Sequence, residues 1–187
     1  MARTLLTDEQ LVAEARLGCE DALVALYDRY RPRVMGFAFR MTGDLDLAEE
    51  VFCETFAAFF QTLDRYESRG QLGAYLLRIA RSKLANETRA RGRFSPAMCQ
   101  QSQAIADLTC CAPLPEDSVQ LAELADLAQR GLMRLSRELR EVIVLRFYEG
   151  LDYASIGDVV GAGAATARSR MRYAIQSLRR MMESSLE

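Results

Sequence analysis

Arginines near the end of the chain recur at the spacing of one helical face. Arg168, Arg172 and Arg179 fall at offsets 0, 4 and 11 within the segment 164–182. A guanidinium pairs with phosphates and base edges through two parallel hydrogen bonds, and hydroxyls near a helix N-terminus can bind phosphate as well. An arginine-rich helix can also be an ordinary solvated surface helix. The residues that would contact DNA under the first interpretation are Thr166, Arg168, Ser169, Arg172 and Tyr173.

The residues that precede and accompany these arginines favour DNA binding. Residues 152–160 predict a short helix, Gly161 and Gly163 mark a turn, and residues 164–182 predict a longer helix. A short helix, a glycine turn and a basic helix form the helix-turn-helix pattern, whose second helix enters the major groove. On another face of this helix, a predicted apolar stripe comprises Met171, Ile175, Leu178 and Met182.

The net charge of −2 hides a strong segregation along the chain. Residues 61–95 carry a net charge of +5 and residues 164–187 one of +3, whereas residues 1–60 and 96–127 each carry −5. DNA responds to local positive charge, so the two basic segments are candidate contact sites. Only Lys83 among the 24 basic residues is a lysine, and the planar fork of arginine suits phosphates and bases better than an ammonium group does.

Composition limits the class of protein. Strong helix formers dominate and only four prolines interrupt 187 residues, so the expected fold is all-α. No apolar run approaches the roughly 18 residues of a membrane span, and the N-terminus turns acidic too soon for a signal peptide, so we expect a cytoplasmic protein without membrane insertion. The chain has no histidine, CxxC pair, nucleophile motif or phosphate-binding loop. We therefore expect no catalytic site, metal or cofactor, and a redox role of Cys110 and Cys111 stays open.

Two helical blocks are separated by a segment without helical periodicity. Residues 7–93 predict a compact bundle of four or five helices, with Asp8 as an N-cap and Pro32 either starting a helix or kinking one. Residues 118–183 predict four more helices. Residues 94–117 hold three of the four prolines together with serines and glutamines, and we interpret them as a flexible linker between two small helical domains.

Four stretches resemble sigma factors, which load RNA polymerase onto promoters. Residues 166–174, TARSRMRYA, resemble the TVKSRLHRA signature of sigma region 4, and residues 135–151 resemble the LP-REV-LLRY-EGL stretch upstream of it. Residues 48–56, AEEVFCETF, resemble the AEDVVQETF of region 2, and residues 76–86 resemble the WLYRIARNLALD that follows it. Their order and separation are similar to those of extracytoplasmic-function (ECF) sigma factors, which keep regions 2 and 4 and lack the domain between them.

The resemblance implies two contacts with promoter DNA. The helix-turn-helix would read the −35 element, and the segment 65–91 would capture and melt the −10 element. Cations can hold the strand, and Tyr66 and Tyr75 could stack on unpaired bases, although each tyrosine could equally be core packing. The implied −10 residues are Arg69, Gln71, Tyr75, Arg78, Arg81 and Lys83. Two departures, no tryptophan near Tyr75 and Ser82 in place of asparagine, imply that base selection differs from that of the family.

The resemblance also implies protein partners. Residues 7–93 would be region 2, whose acidic helix docks on the β′ clamp helices of core RNA polymerase, and residues 118–183 would be region 4, which meets the β flap. An anti-sigma factor would hold the protein inactive. Two alternatives stay open: a sigma-like decoy that binds an anti-sigma factor without binding DNA, and a helix-turn-helix regulator with an unrelated effector domain. The implied polymerase-binding residues are Asp46, Glu49, Glu50, Cys53 (a glutamine in the family) and Glu54.

Overall fold

The computed structural model describes residues 6–67, 70–90 and 118–183, except for the side chains at 90, 118–124 and 182. Within these residues the regular structure consists of helices without any strand, which confirms the all-α prediction. None of the described helices is long and apolar enough to cross a membrane.

The helices form two bundles, which we call the N-terminal bundle (residues 6–90) and the C-terminal bundle (residues 118–183). The domain bounds 7–93 and 118–183 stay predictions, and the linker predicted at 94–117 lies outside the described residues. Three residues singled out in the sequence lie outside the described residues as well: Arg69, Cys110 and Cys111.

The N-terminal bundle consists of four helices. They are α1 (Asp8–Arg16), α2 (Glu20–Thr42), α3 (Leu45–Gln61) and α4 (Leu72–Ala90), with a 3-10 turn at Leu63–Arg65. Helix α2 contains Pro32 in its interior, so this proline does not start a separate helix.

The start of α1 differs from the prediction by one residue. Thr7, and not Asp8, is the N-cap: its hydroxyl accepts a hydrogen bond from the Gln10 N–H at 3.3 Å, and the Gln10 side chain accepts one from the Thr7 N–H at 2.8 Å. The Asp8 carboxylate instead accepts hydrogen bonds from Arg29 and Tyr30 of α2. Asp8 therefore links α1 to α2 and does not cap α1.

Aromatic side chains form the centre of the N-terminal bundle. Val51, Phe52, Phe56 and Phe59 of α3 are all buried. The ring centroids of Phe52 and Phe56 lie 4.6 and 5.2 Å from that of Tyr27 on α2, in edge-on arrangements. Burying a side chain of this size contributes roughly 1.5–3 kcal/mol, so these contacts fix the orientation of α3 and leave its acidic face outward.

The C-terminal bundle also consists of four helices. They are α5 (Ser118–Met133), α6 (Arg137–Ile143), which continues into one π-helical turn (Val144–Tyr148), α7 (Tyr153–Val160) and α8 (Ala164–Glu183).

Helices α7 and α8 form the predicted helix-turn-helix. Asp152 caps α7 by accepting a hydrogen bond from the Ser155 N–H at 2.7 Å, and Gly161 ends α7 at a φ of 68°. A Cβ at Gly157 would lie only 2.6 Å from the Ala162 carbonyl oxygen. Glycine at position 157 therefore allows the turn to close tightly onto α7.

The buried face of α8 shares Met171 and Leu178 with the predicted stripe but not Ile175, and the Met182 side chain lies outside the described residues. Ala167, Met171 and Ala174 are buried and Leu178 is half-buried, whereas Ile175 is 50% exposed. Positions 167, 171, 174 and 178 also fall at offsets 0, 4, 7 and 11, so two overlapping stripes fit the sequence. The tertiary structure selects the stripe with two alanines, whose small side chains let α6 and α7 approach α8 closely.

The two bundles pack against each other. Helix α4 contacts α7, and α2 contacts α5, α6 and the π-helical turn. The sequence indicated the two blocks but contained no local signal for this interface, which lies next to the basic segment of the N-terminal bundle.

Candidate nucleic-acid interface

The second helix of the helix-turn-helix presents its predicted DNA residues to solvent. Thr166, Arg168, Arg172 and Tyr173 are exposed and Ser169 is half-buried. All five lie in the first three turns of α8. Exposed guanidinium groups near the N-terminal half of such a helix can reach phosphates and base edges without rearrangement of the bundle.

An aromatic ring at the start of α7 orients the first of these arginines. The Arg168 guanidinium carbon lies 5.2 Å from the ring centroid of Tyr153, and that of Arg146 lies at the same distance. Arg146 also donates a hydrogen bond to the Leu151 carbonyl at 2.9 Å. The sequence analysis missed Arg146 and Tyr153 as neighbours of the reading helix, because their proximity depends on the turn between α6 and α7.

The basic segment of α4 has an aromatic neighbour too. The Arg78 guanidinium carbon lies 5.2 Å from the ring centroid of Tyr75, which lies 4.8 Å from the ring centroid of Tyr66. The Tyr75 hydroxyl shares a hydrogen bond with the Thr62 hydroxyl at 3.3 Å. Tyr66 is buried, which raises the pKa of its phenol. Tyr66 therefore serves chiefly as packing, while Tyr75 and Arg78 remain accessible.

A cavity of about 530 Å³ opens beside this aromatic pair. Its lining combines two cations, two aromatic rings and an amide, which suit an unstacked base and its phosphate, with two carboxylates, which would repel a phosphate. The N-terminal bundle supplies most of the wall, and helix α7 of the C-terminal bundle completes it. The lining residues are Arg65, Tyr66, Glu67, Gln71, Ala74, Tyr75, Arg78, Asp158 and Val159.

Arg81 and Lys83, which the sequence also predicted to hold the −10 strand, contact acidic side chains and not the cavity. Arg81 Nε donates a hydrogen bond at 2.8 Å to the carboxylate of Glu141 on α6, whose side chain is only 1% exposed. Lys83 Nζ lies 3.6 Å from the Glu54 carboxylate on α3. The structure thus brings Gln71, Tyr75 and Arg78 together but points Arg81 at the C-terminal bundle and Lys83 at α3.

The acidic face of α3 lies on the outside of the bundle. Asp46, Glu49, Glu50 and Cys53 are exposed, and Glu54 is half-buried beside Lys83. The acidic set and the basic set therefore meet at Glu54 and Lys83. Exposed carboxylates in this concentration repel one another by a few tenths of a kcal/mol each, so stability does not explain them.

Two further arginines on α2 cross the interface between the bundles. Arg33 Nε lies 2.6 Å from the Glu149 carboxylate and Arg33 Nη2 donates to the Glu149 carbonyl at 3.2 Å. The Arg40 guanidinium carbon lies 4.1 Å from the ring centroid of Tyr148. Burial raises the pKa of Glu149, and Arg33 opposes that rise.

Backbone carbonyls of both bundles also meet buried side chains. The Arg140 guanidinium donates to the carbonyls of Leu132, Met133 and Leu135 at the end of α5, and to the Met41 carbonyl at the end of α2. Gln129 Nε2 donates to the Phe39 carbonyl at 3.2 Å. Arg140 therefore satisfies the carbonyl ends of two helices from different bundles, which is favourable for a cation.

Comparison of the sequence with protein families agrees with this architecture. Residues 26–94 match the family model of Sigma-70 region 2, and residues 131–180 match that of Sigma-70 region 4. The ECF RNA polymerase sigma factor SigK of Mycobacterium sp. (strain KMS) is 30% identical, over 88% of this chain and 85% of the relative. The ECF RNA polymerase sigma factor SigW of Bacillus subtilis is 24% identical, over 91% of this chain and 94% of the relative.

Solved structures show the same fold. CnrH in complex with the cytosolic domain of CnrY matches with a TM-score of 0.67 and 21% identity, over 95% of this chain and 97% of that chain. The sigma factor RpoE from Bartonella quintana, in complex with the anti-sigma factor NepR, matches with a TM-score of 0.62 and 23% identity, over 82% and 91%.

The chain therefore belongs to the sigma-70 family of transcription initiation factors. Within that family it is an ECF RNA polymerase sigma factor, which directs transcription initiation at specific promoters. The match over residues 26–94 excludes the alternative of a helix-turn-helix regulator with an unrelated effector domain.

Proposed function

We propose that α8 reads the −35 element in the major groove, while α4 and the cavity beside it hold the melted −10 strand. The observation that carries this assignment is the exposed row of Thr166, Arg168, Arg172 and Tyr173 on the second helix of a helix-turn-helix. For the −10 strand, the support is the cavity lined by Tyr75, Arg78 and Gln71. Under this proposal residues 7–93 act as region 2 and residues 118–183 as region 4.

Core RNA polymerase is the proposed partner of the acidic face of α3. Asp46, Glu49, Glu50 and Cys53 are exposed there, and carboxylates repel DNA but pair with cations on a protein surface. Phe52 and Phe56 anchor this helix from within, so the acidic face is presented on a rigid element. The β′ clamp helices would be the site of docking, and the β flap would meet the C-terminal bundle.

An anti-sigma factor is the proposed regulator. RpoE of Bartonella quintana forms a complex with the anti-sigma factor NepR, and CnrH forms one with the cytosolic domain of CnrY. The shared fold supports a partner of the same type for this chain. We further infer that the chain acts in the cytoplasm, without catalytic activity of its own.

Transcription with purified core polymerase tests the whole proposal. Promoter-specific transcripts are expected in the presence of the chain and not in its absence. A chain that binds an anti-sigma factor but yields no such transcripts and no promoter binding would be the decoy, and the proposal would be wrong.

A charge reversal tests the polymerase-binding face. Glu49→Arg with Glu50→Arg is expected to abolish core binding, measured by co-purification, because the acidic face becomes basic. Glu54 is left intact because its contact with Lys83 would confound the result. The matched control is Glu9→Arg with Glu20→Arg, which makes the same change in charge at two exposed positions on α1 and α2. Equal core binding by both double variants would refute the assignment.

A further inference from the structure

One wall of the cavity beside α4 is a short irregular segment, residues 63–67, which we call the turn segment. It begins with the 3-10 turn Leu63–Arg65, and Tyr66 follows with extended backbone. Arg65, Tyr66 and Glu67 all line the cavity. A 3-10 turn has poorer hydrogen-bond geometry than an α-helix, and a single turn contains few bonds of its own. The position of this wall therefore depends on contacts with the rest of the bundle.

The side chain of Arg16, in the last turn of α1, supplies such a contact. Its Nε donates a hydrogen bond to the Leu63 carbonyl at 3.0 Å, and its Nη2 donates one to the Tyr66 carbonyl. One carbonyl belongs to the first residue of the 3-10 turn and the other to the residue directly after it. Because the planar guanidinium holds its donors in fixed directions, the two bonds together fix the separation and the tilt of these backbone groups.

Aromatic packing holds the ring of the turn segment less strictly than Arg16 holds its backbone. Tyr66 is 8% exposed, and its ring centroid lies 5.9 Å from that of Phe59. Ring pairs are favourable over centroid distances of about 4.5–7 Å and over a range of tilts. A hydrogen bond weakens steeply as its angle departs from linearity. Arg16 therefore determines the course of the backbone, and with it the places of Arg65 and Glu67 in the cavity wall.

Helix α1 is a firm base for this contact. Its apolar face is buried in the core of the bundle. At its start, the Asp8 carboxylate lies 2.7 Å from Arg29 Nη1 of α2, and Arg16 lies at its other end. The family match to region 2 covers residues 26–94 and does not extend to α1. The contact thus connects the cavity wall with a helix to which the match gives no role.

We propose that Arg16 is a positioning residue for the −10 cavity, which fixes the turn segment from helix α1. This inference rests on the proposed role of that cavity. Arg16 is not among the described residues that line the cavity, so it acts through the wall and not on the strand itself. Stacking on Tyr75 and the charge of Arg78 stay available when the wall shifts, whereas the choice between bases needs closely fitted polar contacts. Loss of Arg16 therefore impairs base selection more than the overall hold on the strand.

Three variants of the full-length chain separate positioning from charge and from loosening of α1. Arg16→Gln removes both the charge and the two-pronged donor. Arg16→Lys keeps the positive charge but replaces two fixed donors by a point charge. Arg29→Gln is the matched control, because Arg29 also ties α1 to the bundle, through the Asp8 carboxylate and through the Leu6 carbonyl at 2.8 Å. Far-UV circular dichroism and urea unfolding check that each variant keeps its helices.

The readout is the base preference of the holoenzyme. Core polymerase with each variant selects heparin-resistant complexes from a random duplex library, and sequencing gives the preference at every position of both promoter elements. For both Arg16 variants, the ratio between the best and the worst base in the −10 element should fall about tenfold, within the range of one mismatched base pair. The preference in the −35 element should stay native, and Arg29→Gln should keep both preferences.

Four results would overturn the proposal. Native −10 preference in Arg16→Lys would show that Arg16 acts by its charge, and an equal loss in Arg29→Gln would show that Arg16 only holds α1 in place. A parallel loss in the −35 element would indicate a general defect, and an unchanged −10 preference in Arg16→Gln would show no role at all.

Arg78→Ala distinguishes failure of this inference from failure of the proposed function. If Arg78→Ala lowers strand opening while Arg16→Gln has no effect on −10 preference, the cavity holds the strand and only the positioning role is wrong. If Arg78→Ala also leaves strand opening and −10 preference at native levels, the assignment of the cavity to the −10 strand is wrong as well.

Discussion

The two arginine-rich helices of the chain, α4 and α8, present their cations in different ways. On α8, Arg168 and Arg172 are exposed, and Arg168 lies next to the ring of Tyr153. On α4, Arg78 faces outward, while Arg81 and Lys83 contact acidic groups of α6 and α3. Helix α8 lies at the edge of its bundle, whereas α4 is packed between α2 and α3 on one side and α7 on the other.

Under the proposed function, this difference corresponds to two kinds of DNA contact. Duplex DNA is a preformed ligand, and an exposed helix can dock into its major groove as a rigid body. A melted strand exists only after the duplex opens, and its unpaired bases need an aromatic face or a cavity in which to stack. The arrangement of α4 and α8 matches these two requirements.

The largest effect is expected when α8 loses the two arginines that would contact the −35 element. Arg168→Ala with Arg172→Ala should weaken binding of the holoenzyme to a duplex carrying the −35 element by about 2–6 kcal/mol, from about 1–3 kcal/mol for each base-reading arginine. Fluorescence anisotropy measures the loss. The matched control is Arg179→Ala with Arg180→Ala, three turns further along α8. Equal losses in the two double variants would show that charge alone, and not position, governs binding.

A second prediction sharpens the assignment of faces on α8. Met171→Ala should lower the free energy of unfolding by about 2–5 kcal/mol, because it leaves a cavity against α6 and α7. Ile175→Ala, at an exposed position, should change it by no more than about 0.5 kcal/mol. Urea unfolding of the full chain gives both values. A loss of several kcal/mol for Ile175→Ala would show that Ile175 packs inward, as the sequence predicted.

A third prediction concerns α4. Arg78→Ala should reduce strand opening by the holoenzyme about tenfold, which corresponds to about 1.4 kcal/mol, because one cation beside the base cavity is lost. Permanganate reactivity of unpaired thymines measures opening. Binding to the −35 duplex and to core polymerase should stay at native levels. If −35 binding fell and opening did not, the roles of α4 and α8 would be reversed.

The smallest expected effect compares an exposed ion pair with the buried ones. Arg179 and Glu183 of α8 pair at 2.9 Å, with side chains 80% and 62% exposed. Glu183→Ala should cost no more than about 0.5 kcal/mol of unfolding free energy, because water and salt screen such a pair. Thermal unfolding in low and high salt provides the measurement. A cost of several kcal/mol would contradict the distinction between surface pairs and the pairs at the interface.

Local features of this fold could be predicted from the sequence because they depend on residues within one or two helical turns. The short helix predicted at 152–160 and the turn at Gly161 both follow from spacing, and the structure confirms them. The N-cap of α1 was predicted one residue too late because Asp8 and Thr7 are both good caps, and tertiary contacts with Arg29 and Tyr30 decide between them.

The candidate site could be predicted only in part. The exposed residues of α8 form one row, as their spacing indicates, because a helix fixes the relation between positions i and i+4. For α4 the sequence grouped Arg78, Arg81 and Lys83 by charge, and the structure directs them to different neighbours. Counting charges cannot distinguish these three side chains, because their partners are defined only once α3 and the C-terminal bundle have packed against α4.

The sequence by itself determined the helical blocks, the helix-turn-helix and the family to which the chain belongs, since each is encoded in contiguous periodic segments. Only the tertiary structure decided which stripe of α8 is buried and which arginines cross between the bundles. Arg81 meets Glu141 across 60 residues and Arg33 meets Glu149 across 116. Contacts at such separation arise from the packing of whole helices, so the identity and spacing of the residues do not reveal them.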